Sequence, residues 1–352
     1  MGYVIDSELA ITLAWWTGAT SVGLVFLLML QILFLRWLLI RRLRRREQFV
    51  AVWQPLLMEC IEEIPAQLPK ISRGNAYSFL TLWNYLHESV RDEAKERLNT
   101  LARSCDMDAA AFNLARRGNA REMLMGLATL GNLRDDTTWR DLVEMAGRRD
   151  AARSLAAARA LMRIDARQAI DVLMPLIAAH NDWSLSFVAG MLREAGADVV
   201  SEPIARAALA APAEHAPRLV RLLETAHAHV CIPTVRRILH STNDTETILA
   251  ALRVWNDPED IETARALLRD DRWQVRVQAA RALGRTGTEA DEELLLGALA
   301  DTEWWVRYRA AQSLANLPSV SSEKLARFCA AQHAEYARDI LAQVIAERRL
   351  AA

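Results

Sequence analysis

The chain has 352 residues, of which 52% are apolar, 13 are glycine and 10 are proline, and its formal net charge is −1. This composition favours helices throughout and disfavours a β-sheet. The slightly acidic balance argues against nucleic-acid binding, which depends on many Lys and Arg side chains. The four cysteines, with no Cys-x-x-Cys pair, indicate reduced thiols instead of a zinc knuckle or a disulfide framework: Cys60, Cys105, Cys231 and Cys329.

The first predicted element is a transmembrane helix over residues 9–40. Within it no charged residue precedes Arg36, and about 20 apolar residues are enough to cross the hydrocarbon layer. Trp15 and Trp16 lie about 22 residues before Trp37, a rise of roughly 32 Å that suits two interfacial aromatic belts. Arg36 is expected to extend toward the nearer headgroups. The sequence therefore predicts a single membrane span.

A basic juxtamembrane segment, residues 41–46, follows with the sequence RRLRRR. Six arginines against two acidic residues give residues 1–46 a formal charge of +4, so the rest of the chain carries −5. Such a segment stays on the cytoplasmic side, which predicts a short extracytoplasmic N-terminus, residues 1–8, and a cytoplasmic body at a bacterial inner membrane. No Lys or Arg precedes the apolar run, so a cleaved signal peptide is not predicted. The predicted membrane-interface residues are Trp15, Trp16, Arg36, Trp37, Arg41, Arg42, Arg44, Arg45 and Arg46.

Residues 47–117 are predicted to form a helical linker and an N-terminal cap. One helix is expected from Glu47 to Ile64, where the two prolines of IPAQLPK end it, and another over residues 79–102. At the other end, residues 318–352 are predicted to form C-terminal capping helices.

A repeat of 31 residues fills residues 118–317 between these caps. Leucines recur at this step, with one deletion of two residues, at Leu130, Leu161, Leu192, Leu223, Leu252, Leu283 and Leu314. The residue four positions before each leucine is small or apolar, and further apolar columns lie twelve and sixteen positions after the first six leucines. These columns predict two amphipathic helices in each repeat. Helix pairs this short bury their apolar faces only by stacking on neighbours, which predicts an all-α solenoid.

The strongest repeat pair is DDRWQVRVQAARALGRTG, from Asp270, and ADTEWWVRYRAAQSLANL, from Ala300. It resembles the HEAT-like repeats of the phycobilin-lyase type, whose units carry Asp, Val-Arg, Ala-Ala and Ala-Leu-Gly in this order. The resemblance is specific over residues 270–317 and degenerate over 118–252. It implies an α-solenoid of about seven HEAT-like helix pairs.

No constellation in the sequence predicts catalysis, a cofactor or a metal site. The run HAHVC, with His227, His229 and Cys231, lacks the spacing of known zinc sites and is expected to form a polar turn. His87-Glu88 lacks the second histidine of a metalloprotease helix, because position 91 is Arg91. The sequence therefore predicts a protein that is not an enzyme.

The candidate protein-binding residues are Trp273, Arg276, Trp304, Trp305, Arg307 and Tyr308. In HEAT-like repeats Asp and Arg bond across neighbouring units, and this is the first expectation for the Asp270/Arg276 and Asp301/Arg307 sets. Trp304 and Trp305 point in different directions on a helix, so at least one is expected to be exposed. Aromatic residues and Arg concentrate at protein interfaces, although core packing at a repeat junction is an equal alternative.

Three functions follow as hypotheses. The first is a membrane-anchored cytoplasmic adaptor or scaffold, whose partners are membrane-associated proteins and, by analogy, envelope or polysaccharide-synthesis machinery. The second is a lyase-like or chromophore-handling enzyme, which the resemblance implies and the absence of a convergent polar pocket opposes. The third is a nucleic-acid-binding solenoid, which needs a Lys/Arg stripe on its inner face.

Overall fold

The structure, a computed structural model, describes residues 7–65 and 67–351. It is all-α, and no strand occurs in these two ranges. The chain forms two compact units that divide between Asp135 and Asp136. The expected solenoid range of 118–317 therefore begins inside the first unit.

Helix α1, Ser7–Glu59, is one continuous helix of 53 residues. It passes through the predicted span, the basic segment and the start of the predicted linker, because Arg and Leu are good helix formers and no break signal separates these segments. The helix ends at Glu59, five residues before the predicted end at Ile64, and turns carry the chain through residues 60–62. Ile64 itself is disfavoured in a helix because it precedes Pro65. Of the predicted N-terminal segment 1–8, residues 1–6 lie outside the described residues.

The first unit continues with four helices: α2, Ala76–Ser89; α3, Asp92–Ser104; α4, Met107–Arg117; and α5, Ala120–Leu133. The end of α1 packs on α2 through the buried side chains of Phe49, Trp53 and Leu57. The Trp53 ring meets the Phe79 ring edge to face at 5.0 Å. The last turns of α1 thus belong to the core of the first unit.

A buried polar network joins α2 to α5. The Asn84 amide donates to the Thr129 hydroxyl at 2.8 Å and accepts from the Asn132 amide at 2.8 Å. Asn119 begins α5 with a capping box, in which its side chain accepts from the amide of Glu122 and the Glu122 carboxylate accepts from the amide of Asn119. These bonds fix the helix that carries Leu130, the first leucine of the repeat.

Over its described residues, 136–351, the second unit contains fourteen α-helices, with short 3₁₀ turns at 136–138, 223–225 and 289–291. Their bounds are α6, Trp139–Ala146; α7, Ala151–Ile164; α8, Ala166–Ala179; α9, Leu185–Ala195; α10, Ala197–Ala210; α11, Ala216–Leu222; α12, Ala228–Ser241; α13, Thr245–Val254; α14, Ile261–Leu267; α15, Trp273–Thr286; α16, Glu292–Ala298; α17, Trp304–Asn316; α18, Ser322–Ala331; and α19, Glu335–Ala351. The odd-numbered helices from α7 onward pack on one another in chain order, and the even-numbered helices pack beside them. This two-layer stack of helix pairs is an α-solenoid.

The repeat columns form the core. All seven repeat leucines are fully buried, and the residues four positions before them are buried as well. The columns at twelve and sixteen positions after the first six leucines are also buried, except that Leu239 is half-buried. After Leu314, the equivalent residues Ala326 and Ala330 are exposed. Each buried leucine stabilises the fold by about 1.5–3 kcal/mol relative to an exposed one, so the period found in the sequence is the period of the hydrophobic core.

Candidate protein-binding surface

An ion pair between successive repeats sets the geometry of this surface. The Arg276 side chain on α15 binds the Asp301 carboxylate, which precedes α17, with Nε–Oδ2 and Nη2–Oδ1 distances of 2.7 and 2.8 Å. Its Nη1 donates to the carbonyls of Asp270 and Asp271 at 2.9 and 3.0 Å. The expected bond between neighbouring units is therefore present, and Arg276 is a structural residue.

Arg307 occupies the equivalent position one repeat later. Its Nη1 donates to the carbonyls of Asp301 and Thr302 at 2.8 and 3.0 Å, as Arg276 does in its own repeat. The residue one repeat after Asp301 is Gln332, which carries no charge. The Nε of Arg307 is buried and has no acceptor among the described residues. Arg307 is thus the last member of the ladder, and its Nε/Nη2 edge has no carboxylate partner in this part of the chain.

Aromatic side chains lie on the helix that carries this arginine and on the two helices that pack against it. We define the aromatic surface by five of them: Trp273 at the start of α15, Trp304, Trp305 and Tyr308 on α17, and Tyr336 on α19. Trp305 is 56% exposed, Trp304 40%, Trp273 37% and Tyr336 47%. The Trp304 ring stacks on Tyr308 at 5.0 Å and meets Trp305 edge to face at 4.8 Å. The Arg307 guanidinium lies 5.2 Å from the centre of the Tyr336 ring. Large exposed rings beside an arginine are the residue types enriched at binding hot spots.

Three of the predicted binding residues, Trp273, Trp304 and Trp305, are exposed, whereas Tyr308 is held by a contact inside the fold. Trp273 and Trp304 both stand at the first position of their helices, one repeat apart, and Trp305 follows on α17. Tyr308 is half-buried, and its hydroxyl donates to the Glu347 carboxylate of α19 at 2.9 Å, which raises the pKa of the phenol. Sequence reasoning missed Tyr336, because it lies in the closing helices, where the repeat alignment gives no equivalent position.

A second set of ion pairs joins the even-numbered helices. Arg265 of α14 binds Asp291, which is fully buried, with an Nε–Oδ1 distance of 2.6 Å. Arg236 of α12 binds the buried Asp257. Desolvation raises the pKa of Asp291, but the hydrogen bonds from Arg265 and from the Thr288 amide outweigh it, so the pKa lies below its usual range. These arginines are engaged inside the fold.

The HAHVC run begins a helix, so the expectation of a polar turn was wrong. His227 is the N-cap of α12, and Cys231 lies in the first turns of that helix. Its thiol lines an open cleft of about 330 Å³ beside Trp255, whose buried Nε1 has no acceptor in the described ranges. No cluster of three metal-binding side chains occurs among the described residues.

The predicted membrane-interface residues lie on α1. Its segment Trp15–Leu38 is long and apolar enough to cross a membrane, and no part of it is buried. Trp15 and Trp16 are exposed at one end, and Trp37 is exposed at the other, where the Arg41 guanidinium lies 5.1 Å from its ring centre. Arg36 and Arg44 are also exposed, whereas the side chains of Arg42, Arg45 and Arg46 lie outside the described part of the chain.

Comparison with protein families identifies the repeat. The model for HEAT repeats matches residues 232–315 and again residues 261–346. The two matches begin 29 residues apart and end 31 apart, which are the two steps between successive repeat leucines in this region. No curated protein matches the chain. The chain therefore contains HEAT repeats, over residues 232–346, within an all-α solenoid.

Proposed function

We propose that this protein is a membrane-anchored scaffold without enzymatic activity, which binds a membrane-associated protein partner through the aromatic surface. Two observations carry the proposal: Trp304 and Trp305 are exposed beside each other on α17, and the exposed Tyr336 ring lies against Arg307, the last arginine of the ladder. HEAT-repeat solenoids present such surfaces to other proteins, and four large, partly exposed rings offer apolar area that a partner covers.

The unpaired edge of Arg307 indicates which residue types the partner presents at this surface. In the preceding repeat the same edge of Arg276 holds both oxygens of a carboxylate. Arg307 has the same backbone contacts and no acidic neighbour on that edge in the described chain. An Asp or Glu side chain of the partner fits this position, with an apolar residue beside it on the Trp305 ring.

The anchor supports the same function. If Trp15–Leu38 spans the bilayer, Phe49 follows Leu38 by 11 residues of continuous helix, a rise of about 16 Å. Because Phe49, Trp53 and Leu57 are already buried in the first unit, that unit is held close to the bilayer without a flexible linker. The juxtamembrane arginines favour a cytoplasmic body at the inner membrane, and this confinement raises the effective concentration for a partner in the same membrane.

Site-specific photo-crosslinking in native membranes tests the docking surface. A benzophenone amino acid replaces Trp305 in one sample and Tyr85 in the control. Tyr85 is a suitable control because it is 75% exposed but lies in the first unit. We expect a crosslinked product of discrete mass from position 305, and we expect Arg307→Gln and Trp304→Ala to reduce it at least about fivefold, as loss of a hot-spot residue does.

Two outcomes would contradict the proposal. Equal products from positions 305 and 85 would indicate random contacts, and an unchanged product in Arg307→Gln would show that the arginine does not recognise the partner. Thermal unfolding of each variant supplies the remaining control. Arg307→Gln loses two bonds to backbone carbonyls, so its melting temperature should fall by only a few degrees, about 2–4 °C per kcal/mol lost, with a cooperative transition.

A further inference from the structure

The span of α1 carries one polar side chain that its own helix does not satisfy. Thr20 donates to the carbonyl of Trp16 at 2.8 Å, and Ser21 donates to that of Thr17 at 2.7 Å. The side chain of Gln31 is exposed, and it makes no hydrogen bond to any described residue. A Gln side chain has two N–H donors and a carbonyl acceptor, all of which need partners in hydrocarbon.

The depth of Gln31 places this amide inside the bilayer, if the tryptophans mark the two interfaces. Gln31 lies 15 residues after Trp16 and 6 residues before Trp37. At a rise of 1.5 Å per residue these separations are about 22 Å and 9 Å. The glutamine side chain is too short to reach either interface, so its partner must come from another transmembrane segment.

The chain offers no such segment within the described residues, where Trp15–Leu38 is the single candidate span. The partner is therefore another polypeptide. In a parallel pair of identical helices, the Gln31 of the second copy lies at the same depth as the first. The two side-chain amides, related by a two-fold axis, can each donate to the other's carbonyl oxygen and accept from its N–H group. A different protein would need a polar group at that same depth.

The face that carries Gln31 fits a parallel helix pair. Leucines precede and follow it at alternating steps of four and three residues, which is the spacing of a left-handed coiled-coil seam: Leu24, Leu28, Leu35 and Leu38. Thr17 and Ser21 continue the same spacing toward the N-terminus. Small side chains there let two helices approach closely, and no part of this segment is covered by its own chain.

We propose that the protein forms a parallel homodimer in the membrane, with the two Gln31 amides hydrogen-bonded to each other at the helix interface. This inference rests on the membrane span of the proposed function but not on its docking surface. Dimerisation presents two aromatic surfaces at one place in the membrane, which strengthens binding to a partner that has two docking segments.

The test measures fluorescence energy transfer between two populations of the full-length protein, one with a donor and one with an acceptor fluorescent protein at the C-terminus. Both populations are reconstituted in the same liposomes, and transfer is measured as the protein-to-lipid ratio is decreased. We expect wild type to show transfer above that of a non-associating single-span protein, and Gln31→Leu to weaken association about 3- to 20-fold. Gln31→Asn keeps a shorter amide and should retain most of the transfer. Leu33→Ala, on the opposite side of the helix, is the matched control and should behave as wild type.

The outcomes separate this inference from the function proposed above. Extraction of the protein by alkaline carbonate would contradict the span and with it both proposals. Retention in the membrane with wild-type transfer in Gln31→Leu, or with transfer no higher than the control protein, would overturn the dimer alone. Wild-type transfer together with lost photo-crosslinking at position 305 would contradict the docking surface and leave the dimer supported.

Discussion

Arg276 and Asp301 join two successive HEAT repeats through a two-bond ion pair in which both side chains are largely buried, 14% and 13% exposed. The same guanidinium holds the carbonyls of Asp270 and Asp271, just before its own helix. One side chain therefore fixes the start of α15 and the segment that leads into α17.

The first prediction compares this arginine with its unpaired equivalent. Arg276→Lys removes the planar fork that fits the carboxylate, and Arg307→Lys removes the same carbonyl contacts without losing an ion pair. We expect Arg276→Lys to lower the free energy of unfolding by about 1–2 kcal/mol more than Arg307→Lys. Urea denaturation of the detergent-solubilised protein, followed by circular dichroism, measures the difference. Equal losses in the two variants would mean that the carboxylate contributes nothing.

The second prediction concerns acid. The pKa of Asp291 is lowered in the folded protein, because the bonds from Arg265 and Thr288 outweigh the desolvation that raises it. Its ordinary value is about 3.9, so its contribution to stability is complete above that pH and disappears as the pH falls through the lower, folded value. We expect Asp291→Asn to destabilise the protein at neutral pH, and the difference from wild type to shrink as the pH falls below about 3.9. A difference that stayed constant with pH would contradict the lowered pKa.

The core columns and the Asp–Arg pairing were predictable from the sequence, because both depend on side chains that recur at a fixed step. Contacts between an arginine and a backbone carbonyl were not predictable, because the acceptor is not a side chain that recurs at a fixed step. Arg285 donates to the carbonyls of Leu252 and Trp255 at the end of the preceding repeat's helix, both at 2.8 Å, and Arg348 donates to the carbonyl of Ala315 at 2.7 Å. Every residue has a backbone carbonyl, so the sequence does not indicate which carbonyls accept a hydrogen bond. From the sequence alone these two arginines cannot be distinguished from charges on the surface.

The candidate site shows the same limit. Trp304 and Trp305 stood out because two adjacent rings on a helix cannot both point into the core. Tyr336 did not stand out, since its place beside Arg307 depends on how α19 packs against α17, which no repeat equivalence determines. The unpaired edge of Arg307 follows from the repeat only after the Arg276–Asp301 contact is known.

The third prediction tests how closely α15 and α17 approach. A Cβ added at Gly284 would lie 2.6 Å from Cβ of Ser313 and 2.8 Å from its Cα, so the two helices would have to separate. We expect Gly284→Ala to cost about 1–3 kcal/mol. The matched control is Gly190→Ala within α9, where no atom lies within 4 Å of the new Cβ; it should stabilise by about 0.5–1 kcal/mol. Thermal unfolding of both variants decides, and a stabilised Gly284→Ala protein would refute the close packing.

The fourth prediction concerns the thiol at the start of α12. Burial raises the pKa of Cys231 to about 11, so only about a thousandth of it is thiolate at pH 8, and the thiolate is the form that reacts. We expect iodoacetamide to modify native Cys231 at least about a hundredfold more slowly than the same residue in urea, where the thiol regains an ordinary pKa. Mass spectrometry of the peptide that carries Cys231 measures both rates. Similar rates in the native and unfolded protein would contradict the burial of this thiol at the start of α12 and the raised pKa that follows from it.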